Sequence, residues 1–128
     1  MKNTIEIHLA IYRCSVLVAW EVSLEKVLKY TRKRGCKITD EEIKDDLEFC
    51  KNAQGVTFSI GKDNTDVLIW LKERPRKASS YGTLYHEIFH AVDQITKSHN
   101  LQNESEGRAF LYEYISTQCN NLFWSMKR

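Results

Sequence analysis

The chain has 128 residues, 42% of them hydrophobic and 28% charged, and 19 basic against 17 acidic side chains leave a net charge of +2. That length suits one domain over residues 1–128 with a core of its own, and a single Pro and five Gly exclude a linker or low-complexity segment. Near-neutral charge supplies no electrostatic footprint for nucleic acid or an anionic membrane, so neither is expected as a partner.

Ile5, Ile7, Leu9 and Ile11 alternate with Glu6, His8 and Ala10, the period of a strand. Cys14, Val16, Val18 and Trp20 share one side of a second strand. Residues 4–20 therefore read as an antiparallel hairpin turning near residues 12–15, with one long strand as the competing reading. Ser23 caps a helix running to about Arg34, with Leu24, Val27 and Leu28 as its apolar face, and Gly35 ends it. The basic run Lys29, Arg32, Lys33, Arg34 and Lys37 is a solvated helix end, without the aromatic interleaving of a nucleic-acid site. Thr39 and Glu42 form a capping box for the next helix, whose thin apolar stripe is Ile43, Leu47 and Cys50. Residues 56–60 and 67–71 are strands joined by a turn at 61–64, a second hairpin. The polar segment 72–79 carries the sole Pro and is a loop, and two long helices follow over about residues 80–98 and 104–126. This order predicts an α+β fold with one small, mainly antiparallel sheet and helices packed against it.

Cys14, Cys36, Cys50 and Cys119 make no C-x-x-C pair and no structural-zinc spacing. The apolar N-terminal stretch is interrupted by Glu6, His8 and Arg13 and meets no small-residue cleavage site, so the expectation is a reduced, cytoplasmic protein with idle thiols. No run approaches the ~18 apolar residues that a membrane helix needs.

Chemistry concentrates in His86-Glu87-Ile88-Phe89-His90, an H-E-x-x-H motif. On a helix, residues i and i+4 lie about 40° apart, so both imidazoles can reach one metal ion while Glu87 stands beside them to take a proton from water. Leu84, Ile88, Ala91, Val92 and Ile95 form an apolar stripe roughly opposite the histidines, leaving His86 and His90 on the other face. Catalytic zinc takes three protein ligands and keeps one position open. The last helix offers Glu104, Glu106 and Glu113, and its stripe is Leu111, Ile115, Cys119 and Leu122. Glu106 falls roughly opposite that stripe and Glu104 near it, which makes Glu106 the choice; Ala109 one turn on allows close helix approach. Glu113 shares the face about 10 Å further along the axis and is the reserve ligand or an outer supporting group. Asp93 could fix the tautomer of a ligand histidine or be the third ligand itself. Tyr81, Tyr85 and Tyr112 are candidate oxyanion donors whose default is aromatic packing. His8 and His99 are isolated and are read as packing or surface residues.

His86-Glu87-x-x-His90 followed by a Glu on the next helix resembles the gluzincin arrangement. The segment from Glu106 to Leu111 looks like the E-x-x-A-Y-L runs of small phage-encoded metallopeptidases and of ImmA/IrrE-type peptidases, and the likeness extends over residues 67–115. The metzincin pattern does not fit, since Asp93 and Thr96 stand where it needs Gly and a third His. The resemblance implies a minimal zincin-like domain and a zinc metallopeptidase. His86, His90 and Glu106 would hold Zn2+, Glu87 would act as general base, and a peptide or protein substrate would pair with an edge strand at residues 67–71. A phage-encoded protein would work in the host cytoplasm. The competing expectation is a catalytically silent zinc-binding or virion-associated structural domain.

Overall fold

The computed structural model describes residues 1–61, 65–101 and 103–126. Its elements in chain order are β1 (Thr4–Leu9), β2 (Cys14–Trp20), α1 (Leu24–Lys33), α2 (Asp40–Phe49), β3 (Gly55–Ile60), β4 (Asp66–Leu71), α3 (Ala78–Ser98) and α4 (Ser105–Ser125). The strands form one sheet in the order β1-β2-β4-β3. The pairs β1–β2 and β3–β4 are antiparallel and the central pair β2–β4 is parallel, so the sheet is mixed. Among the described residues no helix is long and apolar enough to cross a membrane.

Strand alternation sends side chains into two cores. Cys14, Val16, Val18 and Trp20 of β2 join Val67, Ile69 and Leu71 of β4 beneath α3 and α4. Leu17 and Ala19, with Leu68 and Trp70, face α1 and α2 on the other side. The result is three layers, helix pair on sheet on helix pair. Full burial of both faces explains the unbroken apolar runs of β2 and β4, the mark of strands inside a sheet. The expectation that residues 67–71 form an edge is corrected here: β4 lies between β2 and β3, and β3 is the edge on that side.

The first hairpin turns earlier than residues 12–15. Leu9 pairs with Cys14, and a single 3-10 turn, Ala10–Tyr12, with a left-handed Arg13 (φ 51°) makes the connection. Leu9 and Cys14 are both buried on one face, and that burial pins the register. The second hairpin is present, but its predicted turn lies, beyond Gly61, outside the described residues.

Local capping matches its chemistry. Ser23 Oγ accepts from the Lys26 amide, and Thr39 and Glu42 exchange the two bonds of a capping box at 3.1 Å. On α3 the predicted stripe is the buried one: Leu84, Ile88, Ala91, Val92 and Ile95 are all 3% exposed or less. On α4 the stripe runs Leu111, Ile115, Cys119 and then Phe123, with Leu122 only partly buried. Phe123 wins the last position because its ring meets Trp20 edge-on, centroids 5.1 Å apart.

All four cysteines are free and buried. Burial pushes the Cys14 thiol up to about 11, with Asp66 adding to the effect, and pushes Cys119 up to about 12. Neither is a ready nucleophile near neutral pH.

Candidate metal centre

Because the apolar stripe of α3 is turned into the core, the opposite face carries His86 and His90 to solvent, where both are exposed. Their Nε2 atoms stand 3.2 Å apart, with ring centroids 4.7 Å apart and planes at 84°. Two imidazoles one helical turn apart thus bring the same ring nitrogen together on the solvent side of α3. Nitrogens each 2.0–2.1 Å from a tetrahedral zinc lie about 3.3 Å from one another. The observed spacing fits that requirement.

Glu87 is held on the β3 side of the pair. Its residue is only 6% exposed, turned toward β3 between two exposed histidines. Thr57 Oγ1 donates to Glu87 Oε1 at 2.6 Å and lies 3.1 Å from the Glu87 main-chain oxygen. Gly55 makes the approach of strand to helix possible. A Cβ there would lie 2.9 Å from Thr83 Cγ2 and 3.1 Å from Glu87 Cγ. Gly55→Ala is therefore expected to cost about 1–3 kcal/mol through overpacking, read as a lowered midpoint in thermal or urea unfolding.

No third His, Cys, Asp or Glu joins the histidine pair in a metal-holding group among the described residues. The bonds between α3 and α4 set where the carboxylates of α4 fall. Tyr85 donates to Asn120 at 2.9 Å, and Arg108 donates to Thr96 at 2.7 Å, so α3 and α4 run antiparallel in a fixed register. Glu106, Glu113 and Asn120 recur every seven residues and share one stripe of α4. Counting along both helices from those two bonds puts Glu113 nearer the level of His90, and Glu106, in the first turn of α4, nearer the level of the C-terminal end of α3. Both are exposed.

Asp93 is engaged by cations. Lys97 Nζ lies 3.0 Å and Arg108 Nη2 3.5 Å from its carboxyl oxygens. The hydrogen bond from Lys97, helped by Arg108, holds that carboxyl below the usual range. The residue locks α3 to α4 one turn beyond His90. Tyr85 is spent on Asn120, Tyr81 stacks with Trp124 at 6.2 Å, and Tyr112 packs on the core, where burial and Tyr85 raise its hydroxyl. His8 contacts Ser15 Oγ at 3.0 Å, and the ring nitrogens of His99 meet the carbonyls of Ile95 and Tyr12 at 2.9 and 2.8 Å. Neither histidine belongs to the pair.

Sequence reasoning missed Thr57 and Gly55. Their signal was faint: Gly55, Thr57 and Ser59 alternate with Val56, Phe58 and Ile60, which is a strand with one small, polar face. No family model, curated protein or solved structure matches this chain.

Proposed function

We propose that this chain is a zinc-dependent hydrolase of peptide bonds in which His86 and His90 hold the metal and Glu87 is the proton acceptor. The observation that carries the reading is the 3.2 Å convergence of two exposed Nε2 atoms beside a buried, hydrogen-bonded carboxylate. A zinc ion supplies Lewis acidity, polarising a carbonyl and making water acidic enough to lose a proton near neutral pH. The chain's own groups do the rest. His86 and His90 supply neutral nitrogen donors on one rigid helix. Glu87 takes the proton on the β3 side and returns it to the leaving amine.

The strand placement supports an extended substrate. β3 is an edge, and Thr57 at its middle touches Glu87. A peptide adding to that free edge passes alongside the proton acceptor. A cavity of about 190 Å³ lined by Gln54, Leu71, Glu73, Lys77 and Thr83 opens where β3 begins, with room for a polar substrate side chain.

The test is zinc content by elemental analysis together with hydrolysis of unfolded casein. One zinc per chain with metal-dependent cleavage supports the reading. One zinc without cleavage of any peptide favours the silent zinc-binding domain, and no zinc overturns both. For the third ligand, the axial levels predict that Glu113→Ala weakens zinc binding more than Glu106→Ala, measured by competition with a chromophoric chelator. The reverse ranking would mean that α4 slides along α3 when metal binds.

A further inference from the structure

We propose that Thr57 is the positioning residue for Glu87, holding its carboxylate by one oxygen so that the other is presented to the reacting water; this rests on the hydrolase reading above.

Three observations on β3 and α3 carry it. First, one hydroxyl meets Glu87 twice, at Oε1 (2.6 Å) and at its main-chain oxygen (3.1 Å), so side chain and backbone are tied to the same point. Among the described residues no hydrogen bond is made to Oε2, which leaves that oxygen for the substrate side. Second, the contact belongs to a seam. Gly55 admits the Glu87 Cγ, and Ser59 Oγ donates to Gln94 Oε1 at 2.8 Å, so the small polar face of β3 is fastened along the flank of α3 above and below Glu87. Third, Glu87 is buried while its two histidine neighbours are exposed. A glutamate side chain has three rotatable bonds, and without a fixed partner its carboxylate would swing to solvent. A short hydrogen bond to an ionised oxygen is among the stronger kinds and selects one rotamer.

Thr57 touches neither metal nor substrate in this scheme; it acts through Glu87. Because Thr57 lies on the same edge strand to which a peptide would add, substrate pairing along β3 and orientation of the proton acceptor are coupled through one residue.

The experiment uses the full chain loaded with zinc and acetohydroxamic acid as the probe, a small chelator whose binding is strengthened where a carboxylate beside the metal accepts its hydroxyl proton. Thr57→Val removes the hydroxyl at nearly constant shape, and Thr57→Ser keeps it. Thr57→Val should retain wild-type zinc affinity and bind acetohydroxamate about tenfold more weakly, the worth of one charge-assisted hydrogen bond. Thr57→Ser should restore binding. Glu87→Gln should weaken it comparably, and adding Thr57→Val to Glu87→Gln should change it no further. A merely structural Thr57 would lower the unfolding midpoint without this pattern. Wild-type binding by Thr57→Val alongside weak binding by Glu87→Gln overturns the proposal and spares the hydrolase reading. Equal binding by wild type and Glu87→Gln overturns both. If Thr57→Val fails to fold, Thr57→Ala carries the same comparison.

Discussion

Replacing His86 or His90 with alanine is expected to abolish stoichiometric zinc binding while leaving the fold intact. Each ring is exposed and sits opposite the buried stripe of α3, so its removal opens no cavity. Substitutions of that kind usually move stability by no more than about 0.5 kcal/mol. The metal term is far larger. Losing even a partner that only orients a ligand costs about 10- to 100-fold in affinity, and loss of a ligand costs more. Zinc at a hundred times its dissociation constant stabilises the folded state by about 2.7 kcal/mol, a rise in melting temperature on the order of 10 °C for a domain of this size. The wild-type chain should show that rise, and His86→Ala and His90→Ala should not. A zinc-induced shift of equal size in all three proteins would place the metal elsewhere.

A hydrogen bond shared by two neutral imidazoles gives the same 3.2 Å separation without metal. The two situations differ in magnitude. An exposed histidine–histidine bond contributes at most about 1 kcal/mol and does not respond to zinc. The zinc-dependent shift therefore decides between them, and nothing else about the pair has to be known.

The parts of the site legible in the sequence were those fixed by periodicity along one element. Leu84, Ile88, Ala91, Val92 and Ile95 set the phase of α3, and the phase alone turned His86 and His90 outward. The same held for the capping box of Thr39 and Glu42, which is local. What could not be read was distance between elements. The phase of α4 puts Glu106 and Glu113 on one stripe, but which of them stands level with His90 depends on how far α4 is displaced along α3. That displacement is fixed by long-range contacts such as Arg108 with Asp93 and Thr96, and no local pattern announces them. Strand order was hidden for the same reason. The edge implied for residues 67–71 gives way to an interior place once their pairing with residues 16–20 is known, in keeping with their unbroken apolar run. Thr57 is the plainest case: a threonine in a strand is ordinary, and it becomes informative only when Glu87 is found 2.6 Å away.

Glu87→Gln is expected to leave zinc bound and to reduce hydrolysis by about 10²- to 10⁴-fold, the usual share of general acid–base catalysis. The substitution is clean for a structural reason. The amide oxygen of Gln can accept the Thr57 hydroxyl as Oε1 does, so the side chain keeps its place against β3, and its volume is nearly unchanged. What it cannot do is take a proton. His86 and His90 keep their geometry, because Glu87 contacts β3 and takes no part in the Nε2–Nε2 approach. The pattern of losses is thus diagnostic. The histidine variants should lose metal and activity together, Glu87→Gln should lose activity alone, and Gly55→Ala should lose stability first, with activity following as the seam between β3 and α3 loosens. If Glu87→Gln instead releases zinc, Glu87 is a ligand and the carboxylate must leave Thr57 to reach the metal. If it hydrolyses casein at the wild-type rate, the proton is taken by some other group, and the buried carboxylate beside Thr57 is a fastening between helix and strand.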